Sequence, residues 1–223
     1  SVPKQYTKLA GKMVIEHTLS IFQSHPLIDE VCIVAHKDYI KLIEKSVLHN
    51  LYSKVMKILI GGDKRYESSL VAIQAYNQKY PDDTKILFHD SVRPFVDHDT
   101  ISRCITALDQ YDAVDVAIGC SDTIIEVDRN VIIDIPNRNR LRSGQTPQAF
   151  KLSTIKSAYD LALVDPNFKT TDDCGVIKKY LPSEPIFVVE GSNTNIKITY
   201  KEDIYIADRL FQLKSLHDSA MAI

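Results

Sequence analysis

The chain contains no tryptophan, only seven glycines in 223 residues, and four cysteines with no Cys-x-x-Cys pair among them. Each scarcity excludes something. The only adjacent glycines are Gly61 and Gly62, and their surroundings have the spacing of neither a Walker loop nor a dinucleotide fingerprint. Cys32, Cys104, Cys120 and Cys174 are scattered, as expected of free and mostly buried thiols in a reducing cytoplasm. The seven histidines show no metal-ligand spacing. No serine sits in a nucleophile elbow, so a hydrolase has no support. Charge of one sign is also missing. With 27 Lys and Arg against 29 Asp and Glu, the net charge of -2 gives no global field that would draw in nucleic acid. No apolar run is long enough to span a bilayer, and no secretion-signal core opens the chain. No internal repeat or low-complexity tract is visible. With 44% hydrophobic and 25% charged residues, what remains is an ordinary globular chain of one large domain or two small ones.

Short apolar runs alternate with helical patterns. Residues 12–24 place Val14, Ile15, Thr18, Leu19 and Phe22 on one helical face. Val31–Ala35 reads as a buried strand, 37–48 as a helix, Val55–Ile60 as a strand stopped by Gly61-Gly62, and Tyr66–Tyr76 as a helix. Ile86–Phe88 is the central strand. Residues 98–109 follow as a helix capped at Asp99 or Thr100, and Ala113–Ile118 is a further strand. This order implies a parallel sheet covered by helices on both faces. The rhythm breaks near Cys120. Thr123–Val127 and Val131–Ile135 flank Asp128-Arg-Asn130, which predicts a β-hairpin with no helix between its strands. Its exposed Ile and Val residues need a partner surface, so an arm at about 121–145 is expected to build a dimer. Helices are expected again at 153–163 and 172–180, strands at 186–189 and 196–198, and a terminal amphipathic helix at 203–214. The buried candidates of that last helix are Ile204, Ile206, Ala207, Leu210 and Phe211.

The polar residues gather at the carboxyl ends of these strands, where open α/β sheets bind ligands. Ile86–Phe88 runs straight into His89, Asp90, Arg93 and Pro94. Asp90 could hold a metal ion and Arg93 is a phosphate-type donor, or the two form a surface ion pair at a turn. Gly62, Asp63, Arg65 and Ser68 lie between a strand and a helix. They make either a capped turn or an anion-binding segment at a helix N-terminus. Arg138, Arg140 and Arg142 alternate, and in an extended segment that period puts them on one face. They form a solvated basic edge or recognise a phosphorylated substrate. Thr170–Asp173 fits a helix N-cap. Lys197 lies inside the apolar run Asn195–Thr199; facing inward it would need a partner or a ligand.

The order of these segments is more specific than any one of them. Pro3–Tyr6, Gly61–Arg65, His89–Pro94, Gln145–Phe150, Thr171-Asp172 and Asn195–Thr199 together resemble the sugar-alcohol-phosphate cytidylyltransferases. Ribitol 5-phosphate and methylerythritol 4-phosphate cytidylyltransferases belong to this group. The similarity covers nearly the whole chain. It implies a single domain over 1–223 with a Rossmann-like nucleotidyltransferase fold and a mostly parallel sheet. It also implies a cytoplasmic homodimer joined through β-arms, and magnesium-assisted transfer of CMP from CTP to a phosphorylated polyol. The family begins with a strand and a glycine-rich loop that wraps the triphosphate. Ser1 follows immediately after where that loop would end, so a preceding segment is expected; a chain without it would lack its triphosphate cradle.

Position by position, the resemblance implies that Lys4 and Lys197 stabilise charge at the α-phosphate. Gly62, Asp63, Arg65 and Ser68 fall in the CTP-binding segment. Asp90 and Arg93 occupy the central substrate region, with Asp90 also oriented towards magnesium. Thr123, Arg138 and Thr171 match contacts to the polyol phosphate, the first two reaching across the dimer. Ser91-Val92 stands where many relatives have Ala-Ala. The segment from Gly144 to Phe150 and the end from Tyr205 to Gln212 look more like the ribitol enzymes of surface-polymer synthesis. The isoprenoid-pathway enzyme is the alternative, and a non-catalytic nucleotide-binding subunit is the alternative of another class. No nucleic-acid or membrane partner is expected.

Overall fold

The computed structural model describes residues 2–221, with side chains through Lys214. Lys4–Tyr6 is a turn of 3-10 helix, followed by a two-residue ribbon, β1 (Lys8–Leu9) and β2 (Lys12–Met13). Helix α1 (Val14–Ser24) starts where Glu16 accepts a hydrogen bond from the Met13 amide at 2.7 Å. Val14, Ile15, Thr18, Leu19 and Phe22 are its buried face, as their spacing predicts. Next come β3 (Val31–Ala35), α2 (Ile40–His49), β4 (Val55–Ile60), α3 (Arg65–Asn77), β5 (Lys85–Phe88) and α4 (His98–Ala107). The cap of α4 is Asp97, whose carboxylate accepts from the Thr100 amide at 2.6 Å. The expected caps Asp99 and Thr100 already lie inside the helix.

Strand β6 (Ala113–Gly119) leads into the hairpin of β7 (Glu126–Asp128) and β8 (Val131–Asp134). Arg129 and Asn130 form its turn with φ of 44° and 66°, the left-handed pair that a tight two-residue turn requires. The chain returns as β9 (Arg142–Gly144) and β10 (Gln148–Lys151), followed by α5 (Leu152–Leu163), α6 (Asp173–Tyr180), β11 (Ile186–Glu190) and α7 (Asp203–Met221). Helix α7 extends past the expected residue 214. Ala207 is buried on it, but Ile206 is 53% exposed and is not a core residue.

The α/β architecture and the alternation of strands and helices are as the pattern implies, but the sheet is mixed. Its order is β11-β6-β10-β5, with β9 also on β6. β11 runs parallel to β6, while β10 is antiparallel to both β5 and β6. Strands β3 and β4 form a separate parallel pair. β10 is four residues long, and Gln148-Ala-Phe-Lys151 contains no β-branched residue, so sequence pattern gives little sign of it. The main core joins Phe150 of the sheet to Ile155 and Tyr159 of α5 and Ile177 of α6. A second cluster packs Ile15 and Leu19 of α1 against Ile33 and Ile43.

The run Ile196–Ile198 is not a regular strand. It is held by single bonds, with the Ile198 amide donating to the Val92 carbonyl at 2.9 Å. Ile198 is buried, and Lys197 is half exposed with its Nζ turned to Asp90. Arg138–Arg140 is a 3-10 turn, so Arg138, Arg140 and Arg142 do not share the face of an extended segment.

Candidate active site

The loop after β5 is fixed by a chain of hydrogen bonds. The Asp90 amide donates to Thr146 Oγ1 at 3.1 Å, and Thr146 Oγ1 lies 3.0 Å from His89 Nδ1. His89 Nε2 is 3.0 Å from the Arg93 carbonyl. A carbonyl can only accept, so Nε2 carries the proton and Nδ1 accepts from the threonine hydroxyl. Burial pushes the His89 pKa down to about 4, which keeps the ring neutral at pH 7. With both nitrogens engaged, His89 orients Asp90 and is not free to act as a base.

Asp90 lies between cations. Its Oδ2 is 3.0 Å from Lys197 Nζ and 3.4 Å from Arg93 Nε. Burial pushes its carboxyl up, but Lys197 first, then Arg65 and Arg93, outweigh this and hold it below the ordinary value. Arg93 is 9% exposed and also donates to the Asn195 carbonyl at 2.8 Å. Asn195 is itself buried, donating its amide to the Thr146 carbonyl at 2.9 Å. Four sequence segments thus meet: the turn after β5, the β9–β10 connection, the chain after β11 and, by its field on Asp90, Arg65 at the start of α3.

Arg65 donates to Asp173 at 2.9 Å. Asp173 is fully buried and also accepts from the Tyr159 hydroxyl at 2.6 Å. Its amide donates to Gln148 Oε1, which turns the Gln148 amide nitrogen towards Asp115 at 3.1 Å and Asp172 at 3.0 Å. Burial, reinforced by Asp172, pushes Asp115 up to about 6. Asp172 caps α6 through the Gly175 amide at 2.8 Å, as the Thr170–Asp173 pattern predicts. Thr146, Gln148, Asp173 and Asn195 are the structural members of the site that residue-type reasoning missed. Their signal was present: three lie in segments that carry the resemblance, and Asp173 directly follows the cap.

At Gly61 an added Cβ would meet Ser68 Oγ at 2.6 Å, and at Gly62 it would collide with Glu67. The close approach that these glycines allow is thus to the first turn of α3. Asp63 and Arg65 are exposed and Ser68 is partly buried.

The other expected residues lie apart from the Asp90 cluster. Lys4 is exposed, with Nζ 5.7 Å from the centre of the Tyr200 ring. Thr171 is exposed beside the α6 cap. Thr123 and Arg138 sit on the arm, and Arg138 donates to the Ser121 carbonyl at 2.7 Å. Among the described residues, none of these four bonds to Asp90, Arg93 or Lys197. No group of three or more His, Cys, Asp or Glu that could hold a metal occurs among the described residues. Asp90 alone offers a carboxylate there, which suits magnesium only when substrate phosphates supply the other ligands. No helix of the described residues is long and apolar enough to cross a membrane.

Residues 1–213 match the family model of 2-C-methyl-D-erythritol 4-phosphate cytidylyltransferase. The chain is 48% identical over 215 residues to a Haemophilus influenzae protein described as a bifunctional ribulose 5-phosphate reductase/CDP-ribitol pyrophosphorylase. The match covers 96% of this chain and 45% of that one, so the chain spans less than half the length of that relative. It is 41% identical over 215 residues to 2-C-methyl-D-erythritol 4-phosphate cytidylyltransferase of Thermobifida fusca, covering 94% of this chain and 86% of the relative. Among solved structures, 4-diphosphocytidyl-2C-methyl-D-erythritol synthase of Anaerococcus prevotii superposes with a TM-score of 0.85 at 30% identity, covering 95% of this chain and 91% of that one.

Proposed function

Because the chain belongs to the 2-C-methyl-D-erythritol 4-phosphate cytidylyltransferase family, we propose that it transfers CMP from CTP to a phosphorylated sugar alcohol, and that this acceptor is D-ribitol 5-phosphate. The products are CDP-ribitol, an activated unit for surface polysaccharide or teichoic-acid-type polymers, and pyrophosphate. The observation that carries the choice of acceptor is the 48% identity to the CDP-ribitol relative, against 41% for the Thermobifida enzyme. The family model and the other relatives favour methylerythritol 4-phosphate as the second reading.

The nucleophile is a phosphate oxygen of the acceptor. Its second ionisation lies near pH 6, so it is largely dianionic at neutral pH and needs no general base. This agrees with a His89 whose ring nitrogens are both occupied. The acceptor oxygen forms a bond to the α-phosphorus of CTP as the bond to the bridging β-phosphate oxygen breaks, and pyrophosphate leaves with the bonding electrons. The barrier is repulsion between a dianion and a polyphosphate, so catalysis is positioning and charge neutralisation. Lys197, held at Asp90 with its side chain 47% exposed, faces the developing charge. Lys4 joins it once substrate draws it from Tyr200. Arg93 is fixed at the floor, while Gly62, Asp63, Arg65 and Ser68 receive the cytidine end. Magnesium bound at Asp90 and the phosphates would neutralise triphosphate charge.

Thr123, Arg138 and Thr171 take the acceptor phosphate, the first two from a partner's arm in a homodimer. Support for the dimer is the apolar surface of the arm, where Ile124, Ile125, Val127, Val131, Ile132, Ile133 and Ile135 are all 41–64% exposed.

The test is pyrophosphate release with CTP and magnesium, with ribitol 5-phosphate and methylerythritol 4-phosphate side by side. Release with the first alone is the expected result. Release with the second alone would move the protein to the second reading with the mechanism intact. Silence with both, together with retained CTP binding, would leave a non-catalytic nucleotide-binding subunit.

A further inference from the structure

The segment proposed to receive CTP and the turn proposed to receive the acceptor phosphate meet at one buried ion pair. Asp173 opens α6 with no exposed surface. Among the described residues its one cation is Arg65, whose Nη1 donates to Oδ2 at 2.9 Å. The Tyr159 hydroxyl donates to Oδ1 at 2.6 Å. Burial, then the Asp173 charge, pushes the pKa of that hydroxyl up, so it keeps its proton and remains a donor. Burial works against the charge on Arg65, but Asp173 and then Asp90 outweigh it.

A carboxylate shut off from water cannot exchange its partner for solvent. Losing Arg65 would leave a bare buried charge. The guanidinium is therefore anchored at Asp173 and does not follow a ligand. Yet the Arg65 side chain is 41% exposed, and its bond to Asp173 uses only one of several N–H donors. The planar fork can hold Asp173 with one edge and a ligand oxygen with another.

Asp173 is tied in turn to the residues around Thr171. Its amide and that of Cys174 donate to Gln148 Oε1 at 3.1 Å and 3.4 Å. The Thr170 hydroxyl donates to the Asp172 carbonyl at 2.5 Å, and Asp172 caps the helix. Thr171 thus sits exposed between two residues that are both held. Behind the turn the core is continuous, since Tyr66 and Leu70 of α3 pack with Tyr159 of α5 and Ile177 of α6. A displacement of Arg65 reaches the Thr171 turn through a buried bond rather than through solvent.

We propose that Asp173 is a positioning residue: through Arg65 it locks the nucleotide segment to the turn that presents Thr171, so that occupancy of the first orders the second. The inference rests on the assignment of these two segments under the proposed function, and not on which polyol is the acceptor.

The test is hydrogen exchange of the protein with and without CTP and magnesium, alongside steady-state kinetics. In the wild type, CTP is expected to slow exchange of the Asp173, Cys174 and Gly175 amides about tenfold, a usual size for coupling between sites. Arg65→Lys keeps a cation but loses the fork, and Asp173→Asn keeps the shape but loses the charge. In either variant the slowing should fall below about twofold and kcat at saturating substrates should drop about 10–100-fold. The double variant should be no worse than the worse single, because the two residues act as a unit. Tyr159→Phe removes the other buried bond to Asp173, so it should lower the denaturation midpoint yet keep the slowing and most of kcat. Four results would overturn the proposal: a wild-type chain that binds CTP without slowing, slowing retained in Arg65→Lys and Asp173→Asn, slowing lost in Tyr159→Phe, or additive losses in the double variant. Slowing by CTP with no pyrophosphate release from either acceptor would instead overturn the proposed reaction and leave the coupling standing.

Discussion

The cluster around Asp90 and the arm beyond Gly119 are built in opposite ways. Asp90 and Arg93 share one loop, Thr146 and Asn195 come from distant parts of the sequence, and the four are tied together inside one chain. The arm is local in sequence, and its Ile and Val side chains stand in solvent. Buried polar groups demand satisfaction within the fold, and the first region meets that demand inside one molecule everywhere but at Asn195 Oδ1, which is buried without a partner. Exposed β-branched residues on a two-stranded ribbon have no such closure. The contrast divides the proposed chemistry. Charge neutralisation at the α-phosphorus belongs to the closed region, and recognition of the acceptor phosphate is shared with the open one.

The sharpest way to break this division is Lys197→Ala. It removes a cation proposed to act on the transition state, so kcat should fall about 10²–10³-fold while the KM for CTP changes only a few-fold. Steady-state kinetics in both substrates reads this, and an unchanged kcat would take Lys197 out of the mechanism. Ile133→Asp attacks the open region. The sedimenting mass should halve with loss of acceptor turnover, yet the stability of each protomer should move by no more than about 0.5 kcal/mol, because the side chain is already 58% exposed. A wild-type protein that is a monomer at micromolar concentration would remove the arm's role.

Arg138→Ala should raise the KM for the polyol phosphate about tenfold, roughly 1.4 kcal/mol, and leave the KM for CTP nearly alone. The reverse pattern would place Arg138 at the nucleotide.

The smallest effect sharpens the description of the closed region. His89 is held down to about 4 against an ordinary value near 6.5. Its contribution to stability is complete above pH 6.5 and is lost as the pH falls towards 4. Asp115, pushed up to about 6, binds its proton in the folded state before the unfolded chain does. Stability is therefore gained as the pH falls from 6 towards 4. Each effect is about 1–2 kcal/mol at pH 5, and the signs oppose. Relative to wild type, His89→Gln should therefore gain stability on acidification and Asp115→Asn should lose it, read from denaturant midpoints between pH 7 and 4.5.

Much of this was legible in the sequence because the signals were local. The face of α1, the hairpin with its two-residue turn and the cap at Asp172 depend on spacings within a few residues. The Asp90–Arg93 pair lies within one loop. What was not legible was long-range. Nothing near Gln148 announces an antiparallel strand in mid-sheet, because a four-residue segment buried on both sides has no alternation to show. The partner of Lys197 is more than one hundred residues away. The cap of α4 was misplaced by two or three residues because Asp97, Asp99 and Thr100 are all competent caps, and the extended backbone of Asp97 with its bond from the Thr100 amide chooses among them.

The hairpin has one more property, which concerns how such proteins can change. The chain leaves β6 at Gly119 and returns to it at Arg142, where the two pair directly. The ladder closes the excursion at its base. Everything between those two residues can be lengthened, shortened or exchanged while Thr146, a few residues on, still holds the Asp90 amide in place. Doubling such a loop costs only about 0.6 kcal/mol in closure entropy. The arm is thus a cassette on a fixed floor, and with Thr123 and Arg138 in their proposed acceptor roles a lineage could change acceptors there without touching the Asp90 cluster.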